Sequence, residues 1–247
     1  MIRIDSLHKT FRSRAATVQA VRGVSFCAQD GEILGLLGPN GAGKTTTLRM
    51  LYTLMAPQQG RVEVDGLDVQ ANPGEVRRRL GVLPDARGIY KRLTARENIT
   101  YFGHLHDLDD ATIDARIAAL ASTLGMEDFL DRRAEGFSQG QRTKTAIARA
   151  LIHRPRNIVL DEPTNGLDVM TTRRLRGFLR GLRDEGHCIV FSSHIMQEVA
   201  ALCDRIVVIA RGEVQAIGSP DELRQQTGLA DLEDVFVRLA ALEENTA

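Results

Sequence analysis

The sequence carries no excess of charge: 32 lysines and arginines balance 32 aspartates and glutamates. A general nucleic-acid binder needs a basic surplus, so this balance argues against one. The local cluster Arg77-Arg78-Arg79 reads as a solvated helix face. The three cysteines, Cys27, Cys188 and Cys203, show no C-x-x-C spacing and sit among apolar residues. That is the pattern of buried thiols in a reducing compartment. No apolar stretch approaches the ~20 residues that cross a bilayer, and Met1-Ile2-Arg3-Ile4-Asp5 reads as a strand start rather than a signal peptide. The expectation is a soluble, cytoplasmic chain held at a membrane only through another protein. With neither a low-complexity linker nor an internal repeat, the 247 residues are expected to form one compact domain with lobes.

What is present is a phosphate-binding loop. Gly38-Pro39-Asn40-Gly41-Ala42-Gly43-Lys44-Thr45-Thr46 fits G-x-x-x-x-G-K-[ST]. Glu32 to Leu37, just before it, is a short apolar run of buried-strand type. Thr45 to Met55, just after it, has helical spacing, with Leu48, Leu51 and Leu54 expected on the buried face. Gly41 and Gly43 let successive N–H groups turn toward phosphate oxygens, and the helix start adds its positive end. Lys44 can reach the outer phosphates, and Thr45 can offer its hydroxyl to Mg²⁺.

Residues 1–30 and 60–70 read as alternating strands broken by turns such as Asp65-Gly66, which suggests a small antiparallel sheet. Leu80 to Leu83, Ile158 to Leu160 and Cys188 to Phe191 read as buried parallel strands. Alternation of these runs with helices gives an α/β layered fold. A helical subdomain is expected over approximately 86–155, where Ile113, Ile117, Leu120 and Leu124 share one face. A C-terminal helical extension is expected over approximately 219–247, with Leu232, Val235, Phe236 and Leu239 in one stripe.

Two further strand ends carry chemistry. Ile158-Val159-Leu160 runs into Asp161-Glu162-Pro163, where Asp161 can hold Mg²⁺ opposite Thr45 and Glu162 can polarise a water for in-line attack. The run Phe191-Ser192-Ser193 delivers His194 to the sheet edge where open α/β sheets bind ligands, within reach of a terminal phosphate oxygen. His8, His104, His106, His153 and His187 read as structural.

These pieces, with Phe137-Ser138-Gln139-Gly140-Gln141 at a helix start and Asn165-Gly166-Leu167-Asp168, resemble the ATP-binding subunit of an ABC transporter over nearly the whole chain. The resemblance implies a P-loop NTPase (RecA-like) core with a small antiparallel β-subdomain, the inserted helical subdomain, and ATP with Mg²⁺. It implies a dimer, of like or unlike chains, in which Ser138, Gly140 and Gln141 of one subunit cap ATP on the other's phosphate loop. A helix start with Ser and Gly is itself an anion-binding end, and Ser138 is an ordinary N-cap as well. Asp168 matches the family residue that crosses the dimer interface. Phe11 matches the aromatic that stacks on adenine, with a buried core phenylalanine as the rival reading.

Two positions depart from the family pattern. Asp85 stands where glutamine is usual, at the position that senses Mg²⁺ or the attacking water and links the site to the membrane subunit. Asp85 can still bind metal but is shorter and charged. Gln139 stands where glycine is typical. The segments Gly88 to Asn98 and Leu232 to Phe236 look most like the NatA-type sodium-extrusion branch. That likeness implies a bacterial exporter, sodium efflux, a separate polytopic ABC-2-type permease, and a place on the inner face of the cell membrane through that partner. An ABC-type ATPase serving a nucleic-acid or ribosomal process is the alternative, disfavoured by the single cassette, neutral charge and lack of sustained heptads. A GTPase reading fails for want of an N-K-x-D motif.

Overall fold

A computed structural model describes residues 1–13, 16–85 and 88–241. Two sheets organise them. The strands β1 (Ile2–Arg12), β2 (Thr17–Ala28), β3 (Ile33–Leu37), β4 (Gln59–Val64), β5 (Leu67–Asp68), β6 (Leu80–Leu83), β7 (Asn157–Asp161), β8 (Cys188–Ser193), β9 (Arg205–Ala210) and β10 (Glu213–Gly218) divide between them. The first sheet has the order β2-β1-β4-β5 and is antiparallel throughout. Asp65 and Gly66 turn β4 into β5, both with positive φ (49° and 78°), as a tight Asp-Gly hairpin requires.

The second sheet has the order β10-β9-β3-β8-β7-β6. Its strands run parallel except for the closing β9–β10 hairpin. β3 and β7 are buried at every residue, as strands covered on both faces must be, and hence their continuous apolar runs. The sequence reading placed β3, β6, β7 and β8 and the antiparallel sheet correctly; it did not identify β9 and β10.

The helices are α1 (Lys44–Leu51), α2 (Pro73–Arg79), α3 (Ala95–Leu105), α4 (Asp110–Leu124), α5 (Gln139–Leu151), α6 (Val169–Asp184), α7 (Met196–Ala200), α8 (Pro220–Thr227) and α9 (Leu232–Ala241). Helix α1 is shorter than its periodicity predicted. The chain leaves it at Tyr52, and Thr53 takes a left-handed φ of 65°. That turn swings Leu54 outward, 69% exposed, and sends Met55 inward; Thr47, Leu48, Met50 and Leu51 form the buried face.

Helices α3, α4 and α5 lie between β6 and β7 in the chain and share one continuous core with the sheet, from Ile33 and Leu160 to Ile113, Ile117 and Leu124. Residues 86–87 and 242–247, at the edges of the expected helical segments, lie outside the described residues. Arg77 and Arg78 on α2 are exposed, with Arg77 donating to Thr53 Oγ1, so the cluster is a solvated face. Cys188 and Cys203 are buried as expected, but Cys27 is only half-buried, because it stands on the outward side of the edge strand β2.

Candidate functional site

Parallel strands bring their carboxyl ends to one edge of a sheet, and β3, β6, β7 and β8 each deliver chemistry there. Behind β3 comes the phosphate loop. Gly43 caps α1 with φ 102°, and a Cβ on it would meet the Ala20 carbonyl oxygen at 2.3 Å. A Cβ on Gly38 would lie 2.2 Å from the Ile209 carbonyl oxygen. Only glycine fits either place. Gly41 has φ 81° and open space before it, which leaves its backbone free to approach a ligand.

Lys44 is 5% exposed, and its Nζ donates to the Gly38 carbonyl at 2.6 Å and the Pro39 carbonyl at 3.3 Å. Burial pushes its pKa down, while the negative charges of Glu162 and Asp161 push it back up. A buried cation held by neutral carbonyls on the phosphate loop is poised to exchange them for charged oxygens.

The Asp161 side chain is fully buried at the end of β7, beside Ser192 of β8 in register. Ser192 Oγ donates to its Oδ1 at 2.6 Å, while Oδ2 is buried with no hydrogen-bond partner. Burial raises the Asp161 pKa, against the Ser192 and Thr45 hydroxyls that lower it. An orphaned carboxylate oxygen beside Thr45 is the donor set a hard divalent cation takes. Among the described residues no three His, Cys, Asp or Glu side chains converge on a metal. A cation held by Thr45 and Asp161 would therefore complete its shell from nucleotide and water.

Glu162 takes a left-handed φ of 49°, a conformation costly for glutamate and found where a site over-determines it. Its N–H donates to Ser192 Oγ at 3.1 Å, its Oε2 lies 2.9 Å from His194 Nδ1, and its Oε1 lies 3.7 Å from Lys44 Nζ. Glu162 thus bridges the phosphate-loop lysine and the histidine leaving β8.

A cavity of about 490 Å³ is bounded by Pro39 to Thr46, Asp85, Glu162, Asn165 and His194, while Gly38 and the buried Asp161 stand behind its wall. Phe11 borders it too, 42% exposed and paired across β1–β2 with Val18. Exposure removes the buried-core reading of Phe11. Ser138, Gly140, Gln141 and Asp168 do not line this cavity. Ser138 caps α5 through a capping box with Gln141, and a Cβ on Gly140 would sit 2.8 Å from the Gly166 carbonyl oxygen. The start of α5 therefore packs on the Asn165-Gly166 turn of its own chain, with Thr143 Oγ1 donating to the Asn165 carbonyl at 3.3 Å. The Gln139 side chain covers Gly166, which accounts structurally for a long residue where glycine was expected. Asp168 caps α6, its carboxylate accepting from Thr171 N and Oγ1 at 2.8 and 2.6 Å.

Sequence reasoning assigned no role to Ser192, Glu198 or Asn165. Glu198 Oε2 accepts from Thr164 Oγ1 at 2.6 Å and Ser193 Oγ at 2.9 Å, tying the loop after Glu162 to the strand before His194. Two hydroxyls at the end of a buried strand were the available signal, since neither could be left without a partner.

The family profile described as ABC transporter matches residues 21–165. The chain is 46% identical over 238 residues to the ABC transporter ATP-binding protein NatA of Bacillus subtilis (strain 168), covering 96% of this chain and 97% of that protein. A solved structure described as the ATP-binding subunit of an ABC transporter has a TM-score of 0.87 at 29% identity, covering 97% of this chain and 99% of the other. A dimeric post-hydrolysis state of an ATP-binding cassette, bound to ADP and Pi, has a TM-score of 0.83 at 25% identity, covering 89% and 98%. Likeness of this reach, in sequence and in fold alike, makes the chain a member of the ABC transporter family and one of its ATP-hydrolysing cassettes.

Proposed function

We propose that the chain drives export through a separate polytopic permease of the ABC-2 type, at the inner face of the cell membrane. Two cassettes close around ATP and reopen on hydrolysis. The observation that carries the reading is the Lys44–Glu162–His194 chain of contacts at the phosphate loop. On this reading Lys44 leaves the Gly38 and Pro39 carbonyls for the outer phosphates. Glu162 accepts a proton from the attacking water, and His194 holds the Glu162 carboxylate and donates toward the terminal phosphate. Mg²⁺, held by Thr45 and Asp161, would neutralise developing phosphate charge. On the same reading Asp85, which borders the cavity, senses that metal. Phe11 offers its exposed ring to the adenine.

Ser138, Gly140, Gln141 and Asp168 are proposed to act on the nucleotide of a second copy or a relative, since they stand outside their own chain's cavity. A larger cleft of about 970 Å³ runs between α2, α3 and α5, with exposed Leu54 and Leu105 on its wall and Arg77 and Arg78 at its rim. Pro84, the neighbour of Asp85, lines it, so a permease segment seated there would feel the nucleotide site. No helix among the described residues is long and apolar enough to cross a membrane, so the pathway belongs to the partner. Sodium as the cargo rests on the likeness of residues 88–98 and 232–236 to the sodium-extrusion branch.

Glu162→Gln tests the core of this reading. The variant is expected to bind ATP, to hydrolyse it at least about 100-fold more slowly, and to elute as a dimer with ATP. A variant that hydrolyses ATP at the wild-type rate, or stays monomeric with ATP alone and with its permease, contradicts it.

A further inference from the structure

A cleft of about 510 Å³ opens between α6 and α7, lined by Thr164, Leu167, Arg173, Arg176, Arg180 and Glu198 among others. It shares none of the described residues with the cavity around Lys44. The three arginines stand three and seven residues apart on α6, so they project from one face of that helix. Among the described residues the side chains of Arg173 and Arg176 make no hydrogen bond or ion pair, and Arg176 Nε is buried without a partner. Arg180 donates to the Ala201 carbonyl, which leaves its charge unneutralised. Among the described residues Glu198 is the single carboxylate on the wall, and its Oε2 is already taken by the Thr164 and Ser193 hydroxyls. Cys203 behind Arg176 supplies no counter-charge, because burial pushes its thiol pKa up.

Arg173 and Arg180 are exposed and Arg176 is half-buried, so the cleft presents three like charges to solvent with little opposing charge, and its field favours an anion. Planar guanidinium forks match phosphate oxygens, and the volume is that of a small-molecule site. We propose that this cleft binds a phosphate-bearing small molecule, clasped by Arg173, Arg176 and Arg180. Thr164 lies between Glu162 and Asp168, and Ser193 precedes His194. A phosphate held opposite Glu198 therefore acts on both walls of the nucleotide cavity through the Thr164 and Ser193 hydrogen bonds to that carboxylate. That effect on turnover rests on the proposed roles of Glu162 and His194; the binding itself does not.

The test titrates pyrophosphate calorimetrically into the chain saturated with Mg-ADP, which fills the phosphate loop. About one equivalent is expected to bind, and Arg173→Gln or Arg176→Gln should each weaken it about 10-fold or more with ADP affinity unchanged. At saturating ATP, where competition at the phosphate loop is suppressed, pyrophosphate should shift kcat of the wild type and not of R176Q. Phosphatidylglycerol vesicles identify the source: sedimentation of wild type but not R176Q assigns the phosphate to a lipid headgroup, and no sedimentation to a soluble molecule. Binding that survives both arginine substitutions, or is lost only in K44A, overturns the site.

Discussion

His153 shows how one residue's surroundings set a pH limit for the fold. Its Nε2 faces the Leu80 carbonyl at 3.1 Å, its Nδ1 is buried without a partner, and its ring stacks on His106 at 3.6 Å. A second ring proton would find no acceptor and would face His106 and Arg116, so burial first and those neighbours next push its pKa from 6.5 to about 4. His106 is pushed down as well, by burial and Arg78 against the pull of Asp107. The unfolded chain takes up the His153 proton first. Stability from this site is therefore complete above about pH 6.5 and is lost as pH falls toward 4, by at most about 3 kcal/mol. His153→Gln, which can still donate to Leu80, should show a smaller drop in Tm between pH 7 and pH 5 than the wild type. Equal drops would contradict the assignment. The phosphate loop was legible at this scale because its chemistry is written in consecutive residues. Ser192 and Glu198 were not, because their partners lie on other elements and only strand register brings them together.

Helices α3 and α5 begin alike, with Thr94 and Ser138 each closing a capping box on the residue three positions on. Removing either hydroxyl should cost about 1 kcal/mol of stability. Thr94→Ala and Ser138→Ala should therefore lower Tm by similar amounts, while only Ser138→Ala loses ATPase activity per folded molecule. A fully active S138A would leave its hydroxyl a cap and nothing more. Existence of elements was read more easily than their ends. Leu54 fitted the period of α1, yet the left-handed turn at Thr53 ended the helix before it. The β9–β10 hairpin escaped notice although Ile206 to Ile209 is fully apolar, because β10 is only half-buried and its partner strand reads like any core run. Periodicity records which face is buried; it does not record where a turn redirects the chain.

Across the whole molecule, the phosphate loop, Asp161, Glu162 and His194 meet at one sheet edge, and Ser138 and Gly140 stand outside the cavity that the loop, Glu162 and His194 line. On the proposed reading each chain holds two halves of two different sites, which a two-fold symmetric pair completes around ATP. The most direct measurement mixes two disabled chains, Lys44→Ala and Ser138→Arg, and follows ATP hydrolysis. Each alone should be inactive. In a mixed dimer the intact loop of the S138R chain faces the intact signature of the K44A chain, so a 1:1 mixture should regain up to about a quarter of the wild-type sites. A mixture that stays inactive while S138R still binds ATP, or an S138R chain as active as the wild type by itself, would contradict a site shared between two chains.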